Sequence, residues 1–182
     1  MFKTGVMMKN KKAFSLWLIG PSASGKTTVS LQLFKALSKD FKNLVILDGD
    51  HARKIFVNES GYDPISRSNN IKKYVGVVSW LNSFGISSIV AVINAFEKDR
   101  NYCRKEISNY YEVFLKSSLE ERIKRDKKKL YQPALEGKKK FVVDVDIPFD
   151  QPKNASLIID TEGKLPIDIA NKIIKDLKIN NE

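Results

Sequence analysis

The sequence predicts an α/β fold, a three-layer α/β/α sandwich around a mostly parallel sheet of five strands. Short apolar runs rich in β-branched residues alternate with segments whose apolar residues recur at helical spacing. The strand-like runs are hydrophobic throughout, which is typical of parallel sheets buried on both faces. The chain has 182 residues, a length that fits one domain of ordinary size. We therefore expect a single domain over residues 13–182, preceded by a flexible arm at residues 1–12.

The predicted strands are distributed along the whole chain. They are Phe14–Ile19, Leu44–Leu47, Ser87–Ile93, Glu112–Leu115 and Leu157–Ile159. Helices are predicted between them, because apolar residues recur every three or four positions in Thr27–Lys39, Ile71–Leu81 and Ile167–Leu177. Asp99 and the pair Ser117–Ser118 are residue types that begin helices, so further helices are expected there.

A glycine-rich run directly after the first predicted strand has the form G-x-x-x-x-G-K-[ST] of a phosphate-binding loop. Such a loop turns backbone N–H groups towards the β- and γ-phosphates of a nucleoside triphosphate. Lys26 would contact the same oxygens, and the Thr27 hydroxyl would ligate Mg²⁺. The residues expected to contact the triphosphate are Gly20, Ser22, Ser24, Gly25, Lys26, Thr27 and Thr28. The alternative is a turn that only joins strand to helix. With this loop, the predicted fold is of the P-loop NTPase type.

Two carboxylates, Asp48 and Asp50, follow the second predicted strand and flank a glycine. Ligands of open parallel sheets bind beyond the carboxyl ends of the strands, so these acids are expected beside the phosphate-binding loop. One carboxylate can hold Mg²⁺ directly or through water, and the other can accept the proton of an attacking hydroxyl. The alternative is a simple acidic turn. The pair predicts phosphoryl transfer to a hydroxyl group.

No helical or strand period persists from about residue 127 to residue 150, and two basic clusters, Lys127–Lys129 and Lys138–Lys140, lie in this segment. Long irregular segments inside compact domains are usually functional lids or disordered loops. In an enzyme that transfers phosphate, a basic lid would close over the phosphates. The alternative is a solvated surface loop without a role.

The net charge is +11, from 32 Lys and Arg against 21 Asp and Glu. Such an excess fits nucleic acid, an anionic membrane surface or small polyanionic substrates, and the phosphate-binding loop already implies the third. No basic stripe interleaved with aromatic residues indicates nucleic-acid binding. The one cysteine, Cys103, excludes an intramolecular disulfide, and no apolar stretch approaches the roughly 20 residues of a membrane span. We expect a cytoplasmic protein that binds neither nucleic acid nor membranes.

Further short motifs lie between residues 48 and 149. They are Asp48-Gly49-Asp50-x-x-Arg53, Gly61-Tyr62, Arg67-x-x-Asn70-Ile71, Asp99-Arg100, Arg125-Asp126 with Leu130-Tyr131, and Asp146-x-Pro148-Phe149. In order and spacing they resemble the adenylyl-sulfate kinases, which share the fold of other small-molecule P-loop kinases, and the resemblance covers about residues 13–175. The resemblance implies ATP and Mg²⁺ as cofactors. It also implies transfer of the γ-phosphate of ATP to the ribose 3′-hydroxyl of a small nucleotide.

The resemblance implies a role for each matching residue. Lys26 and Asp50 would be catalytic, with Asp50 as the base at the 3′-hydroxyl; Asp48 and Thr27 would support Mg²⁺. Arg125 would lie near the adenine of ATP. The residues expected to contact the acceptor are Arg53, Tyr62, Arg67, Asn70, Ile93, Asn94 and Phe141. Arginine suits the recognition of oxyanions, and a tyrosine ring can stack on a base, although Tyr62 can equally be a core residue. The sequence leaves open whether the chain is a monomer or a homodimer.

The chain departs from the family on the acceptor side. The family commonly has Ile-Ser-Pro-(Phe/Tyr)-Arg where this chain has Ile93 to Glu97, and Gln132-Pro133 follows the Leu-Tyr pair in place of lysines. The lid phenylalanine of the family falls at Phe141 or Val142. A carboxylate at residue 97 would disfavour a dianionic acceptor if its side chain faced the site. Adenylyl sulfate and cytidine diphosphoramidate, the acceptor of bacterial relatives in capsule modification, both remain open, as does a small non-nucleotide metabolite such as shikimate.

Overall fold

The computed structural model describes residues 13–55 and 61–179, so the predicted arm at residues 1–12 lies outside the described part. Its strands are β1 (Ser15–Ile19), β2 (Leu44–Asp48), β3 (Ser87–Val92), β4 (Tyr110–Lys116) and β5 (Leu157–Asp160). They form one sheet in the order β2-β3-β1-β4-β5, and every pairing between neighbours is parallel. The five predicted strands are confirmed, and the sheet is wholly rather than mostly parallel.

The helices flank the sheet. They are α1 (Lys26–Leu37), α2 (Gly49–Ile55), α3 (Pro64–Ser83), α4 (Glu97–Glu106), α5 (Leu119–Lys124), α6 (Tyr131–Leu135) and α7 (Pro166–Ile179). The Ser118 hydroxyl accepts a hydrogen bond from the Glu121 N–H and so caps α5 as predicted. Helix α4 begins two residues before Asp99, because the Asp150 carboxylate accepts from the Glu97 N–H at its start.

Alternating side chains of β1 fill two apolar cores, one on each face of the sheet. Leu16 and Leu18 pack with α1 and α7 on one face. Trp17 and Ile19 pack with α3 and α4 on the other. Each of these four side chains is fully buried. This sandwich holds the carboxyl ends of the strands rigidly along one edge of the sheet.

A close backbone approach explains the glycine that ends β1. A Cβ atom on Gly20 would lie 2.7 Å from Ser24 Oγ and 2.8 Å from the Leu115 carbonyl oxygen, so only glycine fits between β4 and the turn of the phosphate-binding loop. The tight fit places the loop directly over the end of β1. Gly20 therefore shapes the loop.

The basic segment at residues 127–150 is more ordered than predicted. It contains the short helix α6 and a bridge between Val143 and Ile147. Tyr131, Ala134 and Val142 form a third small apolar cluster beside the phosphate-binding loop. The segment thus lies across the carboxyl edge of the sheet.

Candidate active site

A cavity of about 590 Å³ lies at the carboxyl edge of the sheet, between the phosphate-binding loop, α3 and the basic segment. The predicted site residues that line it are Ser22, Gly25, Lys26, Thr27, Thr28, Asp48, Asp50, Arg53, Tyr62, Arg67, Asn70, Ile93, Arg125 and Phe141. Residues predicted for the triphosphate and residues predicted for the acceptor therefore meet in one space.

The cavity does not include the remaining predicted residues, Gly20, Ser24 and Asn94. Ser24 is fully buried, and its Oγ accepts a hydrogen bond from Lys26 Nζ at 3.4 Å, so it helps to position the lysine. Asn94 is also fully buried, and its amide donates to Cys103 Sγ at 3.6 Å. The Asn94 side chain therefore points away from the acceptor side of the cavity.

The phosphate-binding loop holds Lys26 in a half-buried position. Its ammonium donates to the Pro21 carbonyl oxygen at 2.6 Å. Burial lowers the pKa of Lys26 to about 7, an effect that the nearby carboxylates of Asp48 and Asp50 oppose in part. Anionic phosphates beside the ammonium would restore its full charge.

Asp48 and Thr27 present two hard oxygen ligands side by side. The Thr27 hydroxyl donates to Asp48 Oδ2 at 2.7 Å, and the Asp50 N–H donates to Asp48 Oδ1 at 2.9 Å. Mg²⁺ is usually bound by one or two carboxylates together with substrate phosphates and water. Within the described residues no group of three or more His, Cys, Asp or Glu side chains converges. The donors present thus fit an ion that takes most of its ligands from a bound nucleotide.

The carboxylate of Asp50 is more accessible than that of Asp48 and projects towards the basic segment. It forms an ion pair with Lys128, which also lines the cavity. Asp48 is 7% exposed, whereas the side chain of Asp50 is 58% exposed. Of the two acids, Asp50 is therefore the one that an incoming hydroxyl group can reach.

Two arginines, Arg53 and Arg67, and Tyr62 lie together in the wall of the cavity. The guanidinium carbon of Arg53 lies 4.6 Å from the centre of the Tyr62 ring, and that of Arg67 lies 5.7 Å from it. Arg67 donates to the carbonyl oxygens of Tyr62 at 2.7 Å and of Phe141 at 2.9 Å. Burial and the neighbouring Arg53 lower the pKa of Arg67 to about 10, so it stays charged at neutral pH. With two guanidinium groups, this part of the cavity, the arginine end, suits the binding of an anion.

Asn70 adds a donor to this arginine end. It is 2% exposed, lines the cavity and lies on α3 one turn before Tyr74. Its Nδ2 makes no hydrogen bond to any described residue. A buried amide donor without a partner is costly, so a ligand oxygen in the cavity would satisfy it.

Arg125 also lines the cavity. It donates to Thr161 Oγ1 and to the Thr161 carbonyl oxygen, each at 3.1 Å, and to Glu121 Oε1 at 2.8 Å. These contacts hold its guanidinium plane against the end of β5. The predicted position near the adenine of ATP is compatible with this placement and stays a prediction.

Sequence reasoning missed several residues of the site. Tyr74 lines the cavity, and its spacing of four residues from Asn70 on a helix was a usable signal. The cavity is also lined by Lys128, Lys139 and Lys140. The sequence predicts the two basic clusters that contain them but does not single out these lysines.

Asn94, Glu97 and Gln132, which depart from the family pattern, do not line the cavity. The Glu97 carboxylate pairs with Arg100 at 2.6 Å and with Arg104 at 3.1 Å. Gln132 donates to Glu136 at 2.8 Å on the surface. The argument against a dianionic acceptor required the Glu97 side chain to face the site, and that condition is not met.

The comparison with known families agrees with this geometry. The family model described as adenylylsulphate kinase matches residues 12–160. The chain belongs to the adenylyl-sulfate kinase family. It is accordingly an ATP-dependent kinase that transfers phosphate to a hydroxyl group.

Curated members of the family match over most of their length. A probable adenylyl-sulfate kinase of Pyrococcus abyssi is 33% identical over 167 residues, which cover 92% of this chain and 96% of the relative. A cytidine diphosphoramidate kinase of Campylobacter jejuni is 40% identical over 152 residues, which cover 84% of this chain and 88% of the relative.

Among solved structures, the APS kinase of Mycobacterium tuberculosis in complex with AMPPNP and APS superposes with a TM-score of 0.85 and 26% identity, covering 92% of this chain and 98% of that chain. This likeness agrees with the predicted P-loop kinase fold. In the described part of this family member, no helix combines the length and apolar character needed to cross a bilayer.

Proposed function

We propose that this adenylyl-sulfate kinase family member binds ATP with Mg²⁺ and phosphorylates the ribose 3′-hydroxyl of a small nucleotide whose phosphate carries a modified end group. The observation that carries the proposal is that one cavity is lined by the phosphate-binding loop, by the accessible carboxylate of Asp50 and by Arg53 and Arg67. One ligand would supply the triphosphate and the other the hydroxyl.

The phosphate-binding loop and Lys26 would hold the β- and γ-phosphates of ATP. Thr27 and Asp48 would hold Mg²⁺, which neutralises phosphate charge when bound. The carboxylate of Asp50 would accept the proton of the ribose 3′-hydroxyl. The new bond forms between that oxygen and the γ-phosphorus as the bond to the β–γ bridging oxygen breaks, and ADP leaves.

Lys128 must leave Asp50 before Asp50 can act as a base. Its ion pair with Asp50 involves two exposed side chains, and such pairs are worth only about 0–1 kcal/mol. A bound triphosphate carries several negative charges and would attract the ammonium more strongly than one carboxylate does. The lysine would then lie over the transferred phosphoryl group.

The acceptor would bind in the part of the cavity that Arg53 and Arg67 line. Arg53 and Arg67 would bind the oxyanions of its phosphate and end group, and the Asn70 amide would donate to one of its oxygens. The ring of Tyr62, which is 57% exposed, offers a face on which a base can stack, and Phe141 lines the same space.

Two acceptors fit this description. Adenylyl sulfate is the first, because it is the substrate named for the Pyrococcus abyssi relative and is bound in the solved Mycobacterium tuberculosis structure. Cytidine diphosphoramidate is the second, and the 40% identity to the Campylobacter jejuni enzyme favours it. Both are nucleotides with an anionic linkage, and Arg53 and Arg67 could bind the oxyanions of either one.

A substrate panel tests the proposal. Purified protein with ATP and Mg²⁺ is offered adenylyl sulfate, cytidine diphosphoramidate, plain AMP and CMP, and shikimate, and products are followed by ³¹P NMR. We expect 3′-phosphorylation of one modified nucleotide, with kcat/KM exceeding that of the others by at least about 10-fold. Turnover of shikimate alone would replace the proposal by a metabolite kinase.

Two further expectations, the oligomeric state and the cellular location, need separate measurements. Light scattering distinguishes a monomer from a homodimer. Fractionation of the producing cell tests the proposed cytoplasmic location.

A further inference from the structure

A buried tyrosine of the basic segment at residues 127–150 contacts the phosphate-binding loop, and we refer to this segment as the lid. Tyr131, the first residue of α6, is fully buried, and its hydroxyl donates to the backbone carbonyl oxygen of Ser22 at 2.8 Å. Tyr131 does not line the cavity, so it cannot touch either substrate. It contacts the nucleotide-binding machinery through this hydrogen bond, and the apolar cluster that it forms with Ala134 and Val142 packs against Ala23.

The direction of the hydrogen bond follows from the second partner of the phenol oxygen. Arg122 Nη1 lies 3.2 Å from that oxygen, and a guanidinium only donates. The hydroxyl therefore accepts from Arg122, and its single proton goes to Ser22. Burial raises the pKa of Tyr131 to about 12, so the proton is retained at neutral pH.

Arg122 is itself held from two sides. Its Nε donates to the Ser118 carbonyl oxygen at 3.1 Å, and its Nη2 forms an ion pair with Asp144 in the lid. The guanidinium is almost completely buried. The Arg122 guanidinium is therefore a fixed hydrogen-bond donor to the Tyr131 hydroxyl.

The carbonyl that Tyr131 binds belongs to an unusual peptide. Ser22 C=O and Ala23 N–H share one planar trans unit, so the N–H points opposite to the carbonyl. The carbonyl points towards buried Tyr131, and both Ser22 and Ala23 line the cavity, so the Ala23 N–H is turned towards the cavity. Ala23 has φ 58°, a left-handed conformation that costs a non-glycine residue about 1–2 kcal/mol and persists only where neighbours hold it.

We propose that Tyr131 is a positioning residue for nucleotide binding, which together with Arg122 holds the Ser22–Ala23 peptide so that the Ala23 N–H faces the phosphates of the bound nucleotide. This rests on the proposed function only in requiring a triphosphate ligand. Through Tyr131, the lid would then be part of the phosphate-binding site even in the protein without substrates.

Tyr131→Phe removes the hydroxyl and leaves the packed ring. We expect the Kd of a non-hydrolysable ATP analogue with Mg²⁺, measured by calorimetry, to rise about 3–10-fold, as for the loss of one buried hydrogen bond. The KM for ATP should rise by the same factor while the KM for the acceptor stays unchanged. Tyr102→Phe, on α4 and outside the cavity, is the matched control and should leave both values unchanged.

Hydrogen exchange in the nucleotide-free protein gives a second measurement that does not depend on substrates. Amides of residues 22–25 should exchange faster in Tyr131→Phe than in the wild type, while those of β1 should not change. An unchanged Kd together with unchanged exchange in residues 22–25 would overturn the proposal and leave Tyr131 a packing residue that affects only melting temperature. A wild-type protein that fails to bind the ATP analogue would contradict the proposed function, while the exchange measurement still decides the positioning role.

Discussion

Glu97→Arg restores the cation that the family carries at this position, and the structure predicts that it damages the fold instead of changing the acceptor. The Glu97 carboxylate accepts from Arg100 at 2.6 and 3.0 Å and from Arg104 at 3.1 Å. Arg100 is fully buried, so the substitution removes its partner and adds a third guanidinium beside it.

The size of the loss follows from what Arg100 keeps. Breaking a buried ion pair by removing one partner costs about 3–5 kcal/mol. Arg100 retains bonds to the carbonyl oxygens of Asn94 at 2.8 Å and Asp150 at 2.7 Å, and Glu112 remains 3.9 Å away. We therefore expect the lower end, about 3 kcal/mol, which for a chain of this size lowers the melting temperature by about 6–12 °C.

Urea unfolding followed by tryptophan fluorescence measures the stability, and kcat/KM for adenylyl sulfate and cytidine diphosphoramidate measures the preference. Glu106→Arg is the control, because it reverses the same charge on the same helix, where the Glu106 side chain is 40% exposed and pairs with Lys105 only at 3.8 Å. It should change stability by no more than about 1 kcal/mol. If Glu97→Arg unfolds like the wild type and shifts preference towards the sulfate by more than about 10-fold, Glu97 faces the acceptor and the reasoning is wrong.

Three further predictions concern the reaction. Asp50→Asn should lower kcat by about 10²–10⁴-fold and leave the calorimetric Kd of ATP unchanged, and a collapse of ATP affinity at constant kcat would make Asp50 a metal ligand instead. Burial lowers the pKa of free Lys26 to about 7, and bound phosphates would raise it. The affinity for ATP should therefore be highest below pH 7 and fall by up to about tenfold per pH unit above it. Calorimetry at pH 8 in buffers of different ionisation enthalpy should detect proton uptake on ATP binding, and Lys26→Ala should show none. Trypsin should cleave at Lys138–Lys140 more slowly when an ATP analogue and the acceptor are both present, and equal cleavage would favour a surface loop without a role.

The strands and the phosphate-binding loop could be predicted because their signals are local: a continuous apolar run marks a buried parallel strand, and the glycine pattern follows from backbone sterics. Helices α2 and α6 could not, since they have seven and five residues and are too short to show a period. Helix α6 even contains Pro133, and it begins where Asp126 accepts from the Tyr131 N–H at 2.9 Å.

The errors on the acceptor side have identifiable physical causes. Ile93 and Asn94 are neighbours at the end of β3, and in extended chain successive side chains point to opposite sides, so only Ile93 reaches the cavity. Glu97 lies three residues before Arg100 and seven before Arg104 on one helix face, a spacing that predicts ion pairs within α4. That spacing is visible in the sequence.

Asp150 gives the lid a second fixed end. Its N–H donates to the Ala95 carbonyl oxygen at 2.9 Å, its carboxylate accepts from the Glu97 N–H at 2.9 Å, and its carbonyl accepts from Arg100. Asp126 fixes the other end at the start of α6. A segment fixed at both ends would behave as a strap rather than a hinged flap, tightening over a ligand without swinging clear. Because its ends are already fixed, tightening would cost little chain entropy, and most of the energy of its contacts would be available for holding the nucleotides.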